Sequence, residues 1–179
     1  KARAEWWVRS YGLPVVIQNS TIKTVELVLD RLWQASSPHS ILKPKLVFIS
    51  ESADNWVDSL AFSLPDQSII LVESIIDLLK DQEVDLILEN NHQLAFILSH
   101  ELSHLINNDH RHFGISWLFQ PIQDIGVANK IVEAEYRADK KALFIMTEAG
   151  FGAIASFGSL SFAAFESAHS ETLLLVAEA

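Results

Sequence analysis

No cysteine occurs among the 179 residues, which excludes disulfides, thiolate metal sites and cysteine nucleophiles, and leaves histidines and carboxylates to hold any metal. Glycine and proline are also scarce, at six and five, so neither a collagen-like repeat nor a low-complexity chain is indicated. Positive charge is in short supply. Thirteen basic against 23 acidic side chains give a formal charge of -10, a balance that repels phosphate backbones and anionic lipid, so no nucleic acid partner is expected. The uncharged stretch 149–165 is slightly short of a bilayer span and rich in Gly, Ser and Ala. It reads as a buried or partner-facing helix. Lys1 in place of a Met reads as the start of an excised or processed fragment, which leaves the compartment open.

What is present suits one packed domain over 1–179: 49% hydrophobic and 20% charged residues in a chain of ordinary domain length. Ser20 and Thr21 precede Ile22, Val25, Leu29, Leu32 and Trp33, a spacing that predicts an amphipathic helix over 21–34. It belongs to an N-terminal helical segment, 1–44, expected to pack on the remainder. Lys45 to Ile49, Ser59 to Leu64 and Ser68 to Val72 are strand-like runs, with Pro65-Asp66 as a turn. They predict a small antiparallel sheet of about three strands. Ser74 with Asp77 resembles a capping box for a short helix through Leu79, continued or followed by Asp81 to Leu88. His92 to Asn107 carries a broad apolar face, and a charged helix follows from Ala128 to Thr147. Gly150 and Gly152 separate it from a final helix. The fold class is α+β, mainly helical.

His100-Glu101-Leu102-Ser103-His104 is an HExxH sequence inside the predicted helix 92–107. Two histidines four apart lie one turn above each other on one helical face, so two imidazoles can share one ion. Zinc favours four-coordination, and a catalytic site needs a third protein ligand and an open position for water, beside which Glu101 can act as general base. By chance alone such a motif arises in roughly two of a hundred chains of this composition. Placing His, Glu and His on a core-facing helix without a metal would require each to be satisfied independently. Glu133, Glu135 and Asp139 follow on the charged helix. Glu135 and Asp139, four apart, suit a zinc ligand and a carboxylate that orients a ligating His; a solvated charged face is the plain alternative. Small Ala134, Ala138 and Ala142 let that helix approach another closely.

His100-Glu101-x-x-His104 followed by Glu135-Tyr136-x-Ala138-Asp139 resembles the HtpX, Oma and CAAX-prenyl-protease type of gluzincin zinc peptidases, peptidase family M48. Leu60 to Asp66 and Ser68 to Val72 look like that family's strand pair, and Ala149-Gly150-Phe151 like the end of its zinc-Glu helix, so the resemblance covers about 45–165. It implies a zincin-like metallopeptidase domain with one zinc per chain on His100, His104 and Glu135, Glu101 as base and Asp139 behind a ligand. The implied substrate is a protein or peptide lying extended beside an exposed edge strand, Ser59, Leu60, Ala61, Phe62, Ser63 and Leu64. Family members often work in or beside membranes and in protein quality control. The resemblance therefore implies a cell-envelope or membrane-associated setting, with anchoring through parts outside this stretch.

Glu135 lies 31 residues after His104, which leaves little room for inserted membrane helices. The family's late His-Pro signature is missing, and His169-Ser170 is the nearest match, so His169 is the candidate oxyanion donor. Tyr136 is expected in the core, and His110 and His112 in an exposed turn. The rival readings are a non-catalytic zinc-binding regulatory domain and an α+β domain with no metal. An intact Glu101 favours catalysis, since a purely structural zinc site has no use for a base.

Overall fold

The computed structural model describes residues 19–36, 42–50, 61–73, 75, 91–110 and 125–152. The first element, α1 (Asn19–Ser36), buries Val25, Val28, Leu29 and Leu32. This is the i, i+3, i+4, i+7 stripe that seats an amphipathic helix on a core. It runs two residues beyond the expected 21–34 at each end, with the Ser36 hydroxyl bonded to the Trp33 carbonyl.

Three strands follow: β1 (Lys45–Ile49), β2 (Ala61–Ser63) and β3 (Ser68–Val72), in spatial order β1-β3-β2. The central strand β3 is buried at every position, which is why Ile69 to Val72 form a continuous apolar run rather than an alternating one. Strand β2 pairs antiparallel with β3 through a tight turn. Leu64 N–H donates to the Ser68 carbonyl, Gln67 N–H to the Leu64 carbonyl, and the Asp66 carboxylate accepts from Ser68 N–H. Gln67 takes the left-handed conformation at φ 66°, as hairpins of this length require.

Strand β1, by contrast, pairs parallel with β3, Lys45 opposite Ser68 and Ile49 opposite Val72. The sheet is therefore mixed, and the expectation of an antiparallel one is corrected. Apolar patterning identifies strands but not their direction. The chain between Ile49 and Ser68 is long enough for the crossover that a parallel pair needs.

Helix α2 (His92–Asn107) crosses the core, packed against the sheet, α1 and α3 (Ile125–Glu148), and α1 and α3 also touch each other. Its end is a left-handed Asn108, whose N–H caps the carbonyls of His104 and Leu105. Helix α3 meets α2 through Ala134, Ala138 and Ala142, all essentially inaccessible. It ends at Gly150 with φ 76°, and the Phe151 N–H closes back on the Met146 carbonyl. No helix among the described residues is long and apolar enough to cross a membrane. The expected elements at Ser74 to Leu79, at 81–88 and after Gly152 lie outside the described residues, apart from Ile75, which is buried.

Candidate metal centre

The sequence 100–104 lies in the C-terminal half of α2, and the side chains of His100, Glu101 and His104 are all buried. The helical repeat stacks the two imidazoles, with ring centroids 4.7 Å apart. Their Nε2 atoms approach to 3.0 Å. Glu135 reaches them from α3, Oε2 at 3.1 Å from His100 Nε2 and Oε1 at 3.5 Å from His104 Nε2. One ligand atom from each of the three residues falls within 4.8 Å of the others. The alanine stripe of α3 allows this, because a larger side chain at 134, 138 or 142 would hold the helices apart.

The donor set fits a cation. His100 Nδ1 lies 2.8 Å from Asp139 Oδ1, and His104 Nδ1 lies 2.9 Å from Asp109 Oδ2. A carboxylate accepts, so both Nδ1 atoms donate, and each neutral ring is left with an Nε2 lone pair. Two such lone pairs and a carboxylate then face one another in a buried space. Glu135 Oε1 has no hydrogen-bond partner. Tetrahedral zinc with bonds of about 2.0–2.1 Å sets neighbouring donors about 3.3 Å apart, close to the separations found.

Without a metal, protons supply the missing positive charge. Burial opposes ionisation of His100, but hydrogen bonds to Asp139 and Glu135 outweigh it and its pKa rises to about 10. His104 behaves alike: burial opposes its charge, and Asp109 and Glu135 raise its pKa to about 9. Burial disfavours the Glu135 carboxylate, yet the two histidines hold its pKa well below the usual range. The cluster is thus built around positive charge, and a metal competes with protons for it.

Glu101 is buried beside the two histidines and hydrogen-bonds Ser63 of β2. Burial raises its pKa, while the nearby histidines and a hydrogen bond from Ser63 oppose the rise. Ser63 also sits 3.0 Å from His110 Nε2. A single hydroxyl proton cannot serve both neighbours, so His110 Nε2–H donates to the Ser63 oxygen and Ser63 donates to Glu101. Burial keeps His110 neutral by lowering its pKa to about 4.

Sequence reasoning missed this pair and Asp109. His110 was expected in an exposed turn, but the left-handed Asn108 folds the chain back and buries it. Asp109 is 1% exposed and bonds Arg137 at 3.1 Å. Its only signal in the sequence is that the second histidine of the HExxH pair, if it ligates, also needs a partner for its Nδ1. Tyr136, expected in the core, is 70% exposed, because it lies about 100° around α3 from Glu135 and outside the contact with α2. Ala61, Phe62 and Ser63 form β2, the outer strand of the sheet, yet all three are buried rather than exposed. The strand packs against α2, and Ser63 is tied to Glu101 and His110. Ser59, Leu60, His112 and His169 lie outside the described residues.

A comparison with curated proteins finds no match. The family model described as Peptidase family M48 matches residues 23–160, a span that takes in most of α1, the sheet, α2 with His100 to His104, and α3 with Glu135 and Asp139. Most of the chain is covered, and it belongs to peptidase family M48.

Proposed function

We propose that this metallopeptidase-family chain is a zinc endopeptidase that cleaves peptide bonds with water, Glu101 acting as general base. The observation that carries the reading is the meeting of two histidine Nε2 atoms and the Glu135 carboxylate in a buried space. Membership of family M48 supports zinc as the ion and proteins or peptides as substrates.

His100, His104 and Glu135 would hold the metal, and Asp139 and Asp109 would fix the two rings through their Nδ1 protons. A zinc ion bound there would polarise the scissile carbonyl and bring the pKa of water toward about 7. Glu101 takes the proton from the attacking water and delivers it to the leaving amine as the C–N bond breaks. Burial raises the pKa of Glu101, which suits a group that must both accept and return a proton near neutrality. Ser63 orients its carboxylate. No covalent enzyme intermediate is required.

Ser59 to Leu64 is the segment proposed to align an extended substrate, since β2 leads straight to Ser63 beside Glu101. The burial of Ala61 to Leu64 requires an entering peptide to displace what covers them. His169 is proposed as the oxyanion donor, and a role in protein quality control beside a membrane follows from the family alone.

The experiment is the substitution Glu101→Gln, assayed on an unfolded protein substrate. The amide keeps the shape but cannot accept a proton, so activity should fall by about two to four orders of magnitude, with zinc content unchanged. Undiminished turnover would remove Glu101 from the mechanism. A wild-type protein that binds zinc and cleaves nothing would make the centre a non-catalytic one.

A further inference from the structure

Asp109 lies five residues beyond His104, just past the left-handed Asn108 that ends α2. This turn folds it back onto its own helix. Its backbone N–H donates to the His104 carbonyl at 3.1 Å, and its Oδ2 accepts from His104 Nδ1 at 2.9 Å. The other carboxylate oxygen, Oδ1, accepts from Arg137 Nη2 at 3.1 Å. His104 is thus gripped at main chain and side chain by one residue, which is itself held by α3.

We infer that Asp109 is a positioning residue for His104, and that the chain Arg137–Asp109–His104 locks the second histidine against the helix that supplies Glu135. This inference rests on the metal reading given above. Three physical consequences follow from the geometry. The bond fixes the tautomer, with the proton on Nδ1 and the lone pair on Nε2 facing His100 and Glu135. It adds to the packing that holds the ring rotation of the buried His104. It also places a full negative charge behind the imidazole, making Nε2 a stronger donor to a cation.

Asp139 does the same for His100 from α3, so the two ligands have independent supports. Arg137 gives Asp109 the tie to α3 that Asp139 has by lying on that helix. It stands two residues from Glu135, so any shift of α3 that moves one metal ligand also strains the support of another. The competing explanation is a plain ion pair that pins the turn after α2. That role would lower the thermal stability of the metal-free protein and leave its zinc affinity alone.

The test measures zinc affinity of the full chain by competition with a chromogenic chelator, for the wild type and for Asp109→Asn, Asp109→Ala, Arg137→Ala and His104→Ala. Circular dichroism of the metal-free forms checks that each is folded. Asp109→Asn, close in shape, should fold and bind zinc about 10- to 100-fold more weakly. Asp109→Ala should be at least as weak, and Arg137→Ala less affected because it acts through Asp109. Imidazole 15N spectra of the zinc-loaded protein provide a second readout: the His104 Nδ1 proton should exchange slowly in the wild type and be lost to water in Asp109→Ala, while that of His100 persists.

Wild-type affinity in both Asp109 variants, with His104→Ala unable to bind, would overturn this inference and leave the metal reading standing. A wild type that binds no zinc would overturn both.

Discussion

Two helices supply the candidate centre, and they do so from different surroundings. Helix α2 presents His100, Glu101 and His104 from inside the core, with Leu94, Leu98, Leu102 and Leu105 buried around them. Helix α3 presents Glu135 from the rim: its neighbours Val132 and Tyr136 are exposed, and the buried stripe runs beside it through Ile131, Ala134, Ala138, Ala142 and Ile145. The α2 side chains are therefore held within the core, whereas Glu135 is positioned by how closely one helix face can approach another. Close approach on one side and open surface on the other means that α3 should be intolerant at some positions and indifferent at others a single residue away.

The largest expected effect comes from filling the contact. Ala138 is fully buried between the helices, and Ala138→Leu should destabilise the fold by about 1–3 kcal/mol and draw Glu135 away from the histidines, so zinc affinity falls as well. Denaturant unfolding and chelator competition on the same variant measure the two consequences. Tyr136→Ala, two residues earlier on the exposed side, is the counterpart and should change stability by no more than about 0.5 kcal/mol with zinc affinity intact. Equal effects from the two substitutions would mean that the close helix contact does not position Glu135.

A smaller effect is expected from pH, and its sign follows from the histidines of α2. In the metal-free protein their pKa values rise from 6.5 to about 10 for His100 and about 9 for His104. Their charged forms therefore stabilise the metal-free fold fully below pH 6.5, and this contribution is lost as pH climbs through 9 and 10. Zinc requires the deprotonated rings, so its affinity, and the rise in Tm that it produces, should grow across the same window. Binding at neutral pH should release protons, read by calorimetry in buffers of different ionisation heat. A pH-independent zinc affinity would contradict this account of the cluster.

The same contrast between the helices explains what was legible in the sequence. The stacking of His100 on His104 follows from the helical repeat alone, and β3 announces itself in the β-branched and apolar run Ile69 to Val72. The bounds of α2 could be read because the apolar face is broad and Asn107-Asn108 ends it. The direction of β1 could not, since parallel and antiparallel partners show the same residues to the core. Asp109, Ser63 and His110 could not be found either: each acquires its partner only through the turn after Asn108 or the packing of β2 on α2, and local spacing encodes neither. Tyr136 shows the limit from the other direction. An aromatic beside Glu135 suggests core, but the buried stripe of α3 runs through Ile131, Ala134, Ala138, Ala142 and Ile145, and Tyr136 lies off it.

The most direct measurement is zinc content per chain in the wild type and in two α3 variants, Glu135→Ala and Glu133→Ala. Glu135 faces the histidines, while Glu133 lies on the exposed side of the same helix. The account predicts one zinc per chain in the wild type, loss of most of it in Glu135→Ala, and full retention in Glu133→Ala. A wild type without zinc, or zinc lost from Glu133→Ala and kept by Glu135→Ala, would contradict it.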